Sequence, residues 1–198
     1  MTQARAARTR ESLILAAAAE IDRNGYRGAT VTGICAAAGL SLGALTFHFG
    51  SKLQLALAVS ESGAEAARQR AACAAVDRGT ALSAVTSLAR GLAELLESDV
   101  VVRSAARLER ERPAPVGAWS HSWTPVLRCL LERAEGGGEL RPGAAPQLVT
   151  TLVEYLLTGV EAHGGRAGCG GGVVSRLERI WPLVERGVAA ERASAGSE

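Results

Sequence analysis

The chain has 198 residues, a formal net charge of +2, and 47% hydrophobic and 21% charged residues, enough apolar matter for one large or two small buried cores. No run approaches the roughly eighteen apolar residues of a membrane span, and the apolar stretch Leu13 to Ala19 runs into Glu20 and Asp22 and not into a cleavage site, so a cytoplasmic protein is expected. Four scattered cysteines (Cys35, Cys73, Cys129, Cys169) form no C-x-x-C pair, and His48, His121 and His163 share no helix turn, which excludes a disulfide scaffold and a metal site as organising features.

Taken in chain order, Arg5, Arg8 and Arg10 stand ahead of the first predicted helix as a short basic arm, suited to a phosphate backbone or a minor groove, or simply to solubility. Residues 1–55 carry six cations against three anions, a local balance of +3, so this end is mildly basic. Leu13, Ile14, Ala17, Ala18 and Ile21 recur at helical spacing, and Asn24-Gly25 ends that helix with a left-handed cap. Thr30 caps a second helix with Val31, Ile34, Cys35 and Ala38 inward, and Gly39 closes it in a sharp turn. Ser41 caps a third, Leu42 to His48, anchored by Leu45 and Phe49, which leaves its other face free. Ser51-Lys52-Leu53-Gln54 fits an S-x-x-Q capping box, and Leu53, Leu55, Leu57 and Val59 open a long fourth helix. A helix, a tight turn and a short recognition helix imply DNA binding.

The arrangement Gly39-Leu40-Ser41-x-Gly43-Ala44-Leu45-x-Phe47-His48-Phe49-x-Ser51-Lys52 resembles the N-terminal DNA-binding domain of TetR-type transcriptional repressors. Phe47-His48-Phe49 together with Trp123-x6-Leu130-Leu131-x2-Ala134-x3-Gly138-Glu139-Leu140 is similar to the γ-butyrolactone autoregulator receptors of that family. The resemblance implies that Leu42, Gly43, Ala44 and Phe47 face the major groove, with Gly43 allowing close backbone approach. Leu42 and Ala44 suit thymine methyl groups, and neither can form a bidentate pair with guanine. Thr30, Thr32, Ser41, Thr46, His48 and Lys52 are expected on phosphates, helped by free N–H groups where the second and fourth helices begin. Phe47 has an alternative place in the small core beside Phe49, and His48 an alternative as a capping or core histidine. Lys often stands in the family where this chain has Leu42, and Tyr where it has Thr46; both departures remove donors that would touch DNA.

Beyond the fourth helix no alternating strand is found, so the fold class expected is all-α. Predicted elements are Leu53–Val76, Thr80–Glu97, Val100–Glu111, Trp119 or Pro125 to Glu135, Pro146–His163 and Val173–Ala190, separated by Gly- and Pro-containing breakers. The organisation expected is a helix-turn-helix domain at 1–52, a ligand-binding and dimerisation domain at 53–190, and a disordered tail at 191–198. The glycine-rich 164–172 lacks the G-K-[ST] of a phosphate loop and reads as a flexible connection. The last two helices hold more apolar surface than one layer needs, which favours pairing with a second subunit over closure of the chain's own core. The resemblance implies a four-helix dimer interface. Two-fold symmetry then predicts a palindromic operator with half-sites roughly 34 Å, or a multiple, apart.

Trp119 and Trp123 are four apart and would share one helical face as an apolar wall, or lie on a loop or kinked segment before a helix opening at Pro125, or be core packing. By resemblance Trp123 stands where a receptor tryptophan contacts a lactone. The ligand expected is small and mostly apolar: a γ-butyrolactone, a butenolide or a related furan. Arg103 and Arg107 would pair with an acidic ligand or with neighbouring glutamates, and the run RLERER reads as a solvated helix end. Ligand entry is expected to shift the fourth helix and so the separation of two recognition helices. An enzyme is disfavoured, because Cys169 and His163 lack an orienting third group, and no cofactor is expected. The competing reading is a ligand-insensitive, or drug- or metabolite-responsive, regulator of the same fold.

Overall fold

A computed structural model describes residues 2–76, 78–111, 118–164 and 172–191. Among them are nine helices: α1 Thr2–Gly28, α2 Val31–Ala38, α3 Leu42–His48, α4 Lys52–Ala75, α5 Ala81–Ser98, α6 Val100–Glu111, α7 Ala118–Gly136, α8 Pro146–Gly164 and α9 Val173–Val188. The all-α expectation holds for these residues; one antiparallel bridge, Leu140 to Ala189, ties the far end. Among the described residues no single helix is long and apolar enough to cross a membrane. The expected tail, apart from Glu191, and most of the glycine-rich connection with Cys169 lie outside the described residues.

The first helix departs from expectation at its start. It begins at Thr2, so Arg5, Arg8 and Arg10 lie within the helix and not in an arm ahead of it. Gln, Ala and Arg are all strong helix formers, and the Thr9 and Ser12 hydroxyls donate to the carbonyls of Arg5 and Arg8 one turn back, each at 3.0 Å. The break at Gly25 (φ 71°) falls where the sequence marks it.

Each predicted cap is made by the residue expected. Thr30 Oγ1 accepts from Gly33 N–H at 3.0 Å, Ser41 Oγ from Ala44 N–H at 3.1 Å, and Ser51 Oγ from Gln54 N–H at 3.1 Å. Gln54 Oε1 reaches one residue beyond a standard capping box, to Gly50 N–H at 2.9 Å. Between α2 and α3, Gly39 adopts φ 64°, a left-handed conformation that side chains disfavour, and so turns the chain within three residues.

Two apolar cores result. The head core joins Leu13, Ala17 and Ile21 of α1, Ile34 and Cys35 of α2, and Leu45 and Phe49 around α3 to Leu55, Ala56 and Val59 of α4 and Leu108 of α6. The body core collects Ala67, Ala71 and Ala74 of α4, Leu88, Leu92 and Leu96 of α5, Trp123, Leu127 and Leu131 of α7, Val153 and Leu157 of α8, and Leu177 and Trp181 of α9. Helix α4 therefore serves both, its first two turns packing into the head.

Helix α7 runs through Pro125, so of the two expected starts the earlier is the one adopted. An interior proline costs about 3 kcal/mol. Burying an indole removes about 150–250 Å² from water, worth roughly 4–6 kcal/mol each, and one continuous helix buries both Trp119 and Trp123. Their rings meet edge to face with centroids 6.3 Å apart.

At the crossing of α4 and α6 there is no room for a side chain at residue 63. A Cβ on Gly63 would fall on that of Ala105 and within 3.1 Å of the Val101 carbonyl oxygen. Gly63→Val is expected to lower the unfolding free energy by about 1–3 kcal/mol in urea titration, with Ala105→Gly in the same chain recovering part of the loss. Unchanged stability would show that the crossing yields easily.

Candidate nucleic-acid interface and ligand cavity

Leu45 and Phe49 are buried and fix α3 against α1 and α2, which turns the other side of α3 to solvent. On that side Leu42 is 59% and Phe47 82% exposed, with Gly43 and Thr46 also exposed and Ala44 half-buried. Phe47 thus lies outside the head core, its ring 5.1 Å from that of half-buried His48 in an edge contact. Thr46 Oγ1 donates to the helix's own carbonyls, Leu42 O at 2.9 Å and Gly43 O at 3.1 Å. A Cβ on Gly43 would meet nothing nearer than Ser41 Oγ at 3.7 Å, so nothing inside this chain requires glycine there.

Around this face lie Thr30, Thr32 and Ser41, all exposed; the two capping hydroxyls accept inward and keep their own hydrogens available to donate outward. Lys52 Nζ sits 4.6 Å from the centre of the Tyr26 ring, a cation–π contact that holds it at the start of α4. Arg10 lies over Phe49 at 5.2 Å.

In the body, a cavity of about 260 Å³ is lined by Ala106, Glu109 and Arg110 of α6, Trp119 of α7, and Leu157, Thr158 and Glu161 of α8. Trp119 forms its flat wall. Trp123 touches the Trp119 ring but is 1% exposed and does not itself line the cavity, and its Nε1 has no hydrogen-bond partner among the described residues. Trp181, by contrast, donates from Nε1 to Thr86 Oγ1 at 2.9 Å and Glu185 Oε1 at 3.1 Å. Arg110 and Glu161 close one side through a two-point ion pair at 2.7 and 3.1 Å; those bonds from Glu161 push the arginine's pKa above its already high ordinary value, against the opposing effect of burial.

The opposite face of α6 grips the head. Arg103 bonds both carboxylate oxygens of Asp22 at 3.2–3.3 Å and the Glu97 carbonyl at 2.8 Å. Buried Ser104 donates to Ala18 O at 2.6 Å, and Arg107 donates to Asp22 O and to Glu111, each at 2.7 Å. Glu111 in turn accepts from Tyr26 N–H at 2.7 Å, holding the turn that follows Gly25.

The model of the bacterial regulatory proteins of the tetR family matches residues 13–59, the span that holds the head's three helices and the start of α4. The TetR family protein CprB from Streptomyces coelicolor, solved in complex with its biological operator sequence, is 30% identical over 94% of this chain and 90% of that one, with a TM-score of 0.75. The chain belongs to the TetR family. A γ-butyrolactone receptor described as ArpA-like is 28% identical over 94% of this chain and 90% of that chain, with a TM-score of 0.76. The A-factor receptor protein of Streptomyces griseus is 29% identical over 92% of this chain, which spans 66% of that relative's length. Within the TetR family the resemblance is therefore to the autoregulator receptors, and these relatives are regulators and receptors, not enzymes.

One sequence expectation for this TetR-family chain needs correction. RLERER is not a solvated helix end: Glu109 accepts from Ser120 N–H at 2.9 Å, Arg110 holds Glu161, and Glu111 holds Tyr26. Of the two partners expected for Arg103 and Arg107, a neighbouring glutamate is the one found for Arg107, which bonds Glu111, while Arg103 takes Asp22; both face the head, away from the cavity. The clue was the spacing, since 103, 107 and 111 fall on one face of α6 while 106, 109 and 110 fall on another. Across-helix partners such as Glu161 and Asp22 carry no such mark.

Burial alone would raise the Glu111 pKa, but hydrogen bonds from Arg107 and Tyr26 N–H, with the charges of Arg107 and Arg110, hold it below the ordinary 4.5. A lowered folded-state pKa means its contribution is present above pH 4.5 and is lost as pH falls through the folded value. Glu111→Gln is expected to cost on the order of 1 kcal/mol near neutral pH, with the difference from the parent shrinking as unfolding is measured at progressively lower pH toward 3. A pH-independent difference would mean that the carboxylate charge plays no part.

Proposed function

We propose that the protein is a ligand-responsive transcriptional repressor, acting as a homodimer on a palindromic operator and released by a small, weakly polar molecule such as a γ-butyrolactone or a related butenolide or furan. The observation that carries this reading is the outward face of α3, capped and anchored on one side and bare on the other, with a glycine at 43 for which the fold itself has no need. Close approach of a DNA backbone or base edge gives that glycine a reason. In this reading residues 1–52 with the first turns of α4 form the reader, Leu42, Gly43, Ala44 and Phe47 enter the major groove, and Thr30, Thr32, Ser41, His48 and Lys52 border it toward phosphates, while Thr46, its hydroxyl engaged by the helix's own carbonyls, takes no phosphate. A reader of chromosomal DNA works in the cytoplasm.

One two-turn helix offers too few side chains for useful specificity, and α8 with α9 supplies the means of doubling it. Tyr155 is 73% and Leu183 65% exposed, and Leu148, Leu152 and Ile180 lie open with them. An apolar surface of this kind supports burial against its symmetry mate. Leu183→Glu is expected to convert the dimer to monomer in light-scattering measurements and to weaken operator binding; a dimer that persists unchanged moves the interface elsewhere.

The cavity supports the sensing half of the proposal. Its wall is α6 and not α4: α4 meets α6 and α7 through Gly63, Ala67 and Ala71, too tightly to leave a hollow. A ligand pressing between α6 and α8 would reach α1 through Arg103, Ser104 and Arg107, and α4 by way of α6 and of α7, whose Trp119 lines the cavity. The unpaired Trp123 N–H gives an entering lactone carbonyl a donor once it passes Trp119. Operator release on addition of γ-butyrolactones, followed by gel shift, is the test. Trp123→Phe, which keeps most of the ring and removes the N–H, should raise the half-releasing concentration roughly tenfold, one hydrogen bond's worth. Equal release by parent and variant would take the Trp123 N–H out of the site.

A further inference from the structure

Resting on the proposed operator-binding role, we infer that α3 reads its half-site through thymine methyl groups, with Leu42 and Phe47 as the specificity-determining side chains. Leu42 to His48 contains no Arg, Lys, Asn or Gln, the side chains that make two-point hydrogen bonds to guanine or adenine in the major groove. The one hydroxyl on the exposed face, that of Thr46, donates to Leu42 O and Gly43 O, leaving its methyl group as the unengaged part. Of the long cations beside α3, Lys52 is held over the Tyr26 ring and Arg10 over the Phe49 ring. Leu42 and Phe47 remain as the large exposed side chains of this face, 59% and 82% exposed. Of the features a base pair shows in the major groove, only the thymine 5-methyl is apolar.

A methyl removed from an apolar contact should cost roughly fourfold in affinity, and roughly fifteenfold when both half-sites of a symmetric duplex are altered. The experiment uses the full chain and a duplex enriched by it from a randomised library. Thymines of that duplex are replaced singly by uracil, which changes the 5-methyl and leaves every hydrogen-bonding group in place. The expected result is loss of affinity at one or more thymines per half-site, with the penalty vanishing at the matching position in Leu42→Ala or Phe47→Ala. Both residues are exposed, so the variants should fold as the parent does. Sequence-selective binding that is indifferent to uracil at every position overturns the inference while leaving the regulator reading intact. A uracil penalty that both variants retain in full also overturns it, by assigning the methyls to other residues. Failure to enrich any sequence overturns the regulator reading and this inference together.

Discussion

The closeness of α6 to its neighbours governs the rest of the molecule. One face of this twelve-residue helix lies so near α4 that position 63 admits only hydrogen, and another is bonded to α1 through Arg103, Ser104 and Arg107. A third lines the cavity with Ala106, Glu109 and Arg110. Packed interiors transmit displacement because they have no slack to absorb it. A helix confined on three sides cannot yield to an object in the cavity without moving something in the head.

That confinement also explains the division of chemistry along the helix. The bonds to α1 are polar and directional, those from Arg103 and Arg107 charge-assisted and that from Ser104 neutral, whereas the contact with α4 is apolar and set by shape. Shape fixes how near the two helices come, and the directional bonds fix how α6 is turned about its own axis. Both are needed if the hollow behind Trp119 is to keep the same relation to the turn after Gly25.

How much of this could be read from the sequence varied with the range of the interaction. Caps, turn glycines and apolar periodicity act within five residues, so Thr30, Gly39, Ser41 and Ser51 announced the head, and Leu45 and Phe49 announced which side of α3 is buried. The unbroken α7 was not decidable locally, because the cost of Pro125 is written in the sequence while the gain from burying Trp119 and Trp123 exists only once α5, α6 and α8 surround them. The charged end of α6 was misread for the same reason. RLERER looks like solvent-facing helix until Asp22, Tyr26 and Glu161, from 51 to 85 residues away, are brought to it. The basic arm failed differently: the residues before Leu13 are good helix formers, and intrinsic propensity extended the helix where no apolar stripe called for one.

Magnitudes bear on whether such a construction suffices for regulation. Coupling between two ligands in regulated proteins is typically about 1–3 kcal/mol, a 5- to 150-fold change in affinity. A hydrogen bond to a charged group is worth about 1.5–3 kcal/mol when partly buried, and less as exposure increases. The α6–α1 contact has such bonds from Arg103 to the Asp22 carboxylate and from Arg107 to the Asp22 carbonyl, beside a neutral one from Ser104 to the Ala18 carbonyl. Under the proposed mechanism, remaking one or two of them when the cavity fills covers the whole of that range, and no unfolding or large domain rotation has to be invoked. The direction of the effect then depends on which state of the head keeps those bonds, because a ligand changes operator affinity only through its preference for one of the two.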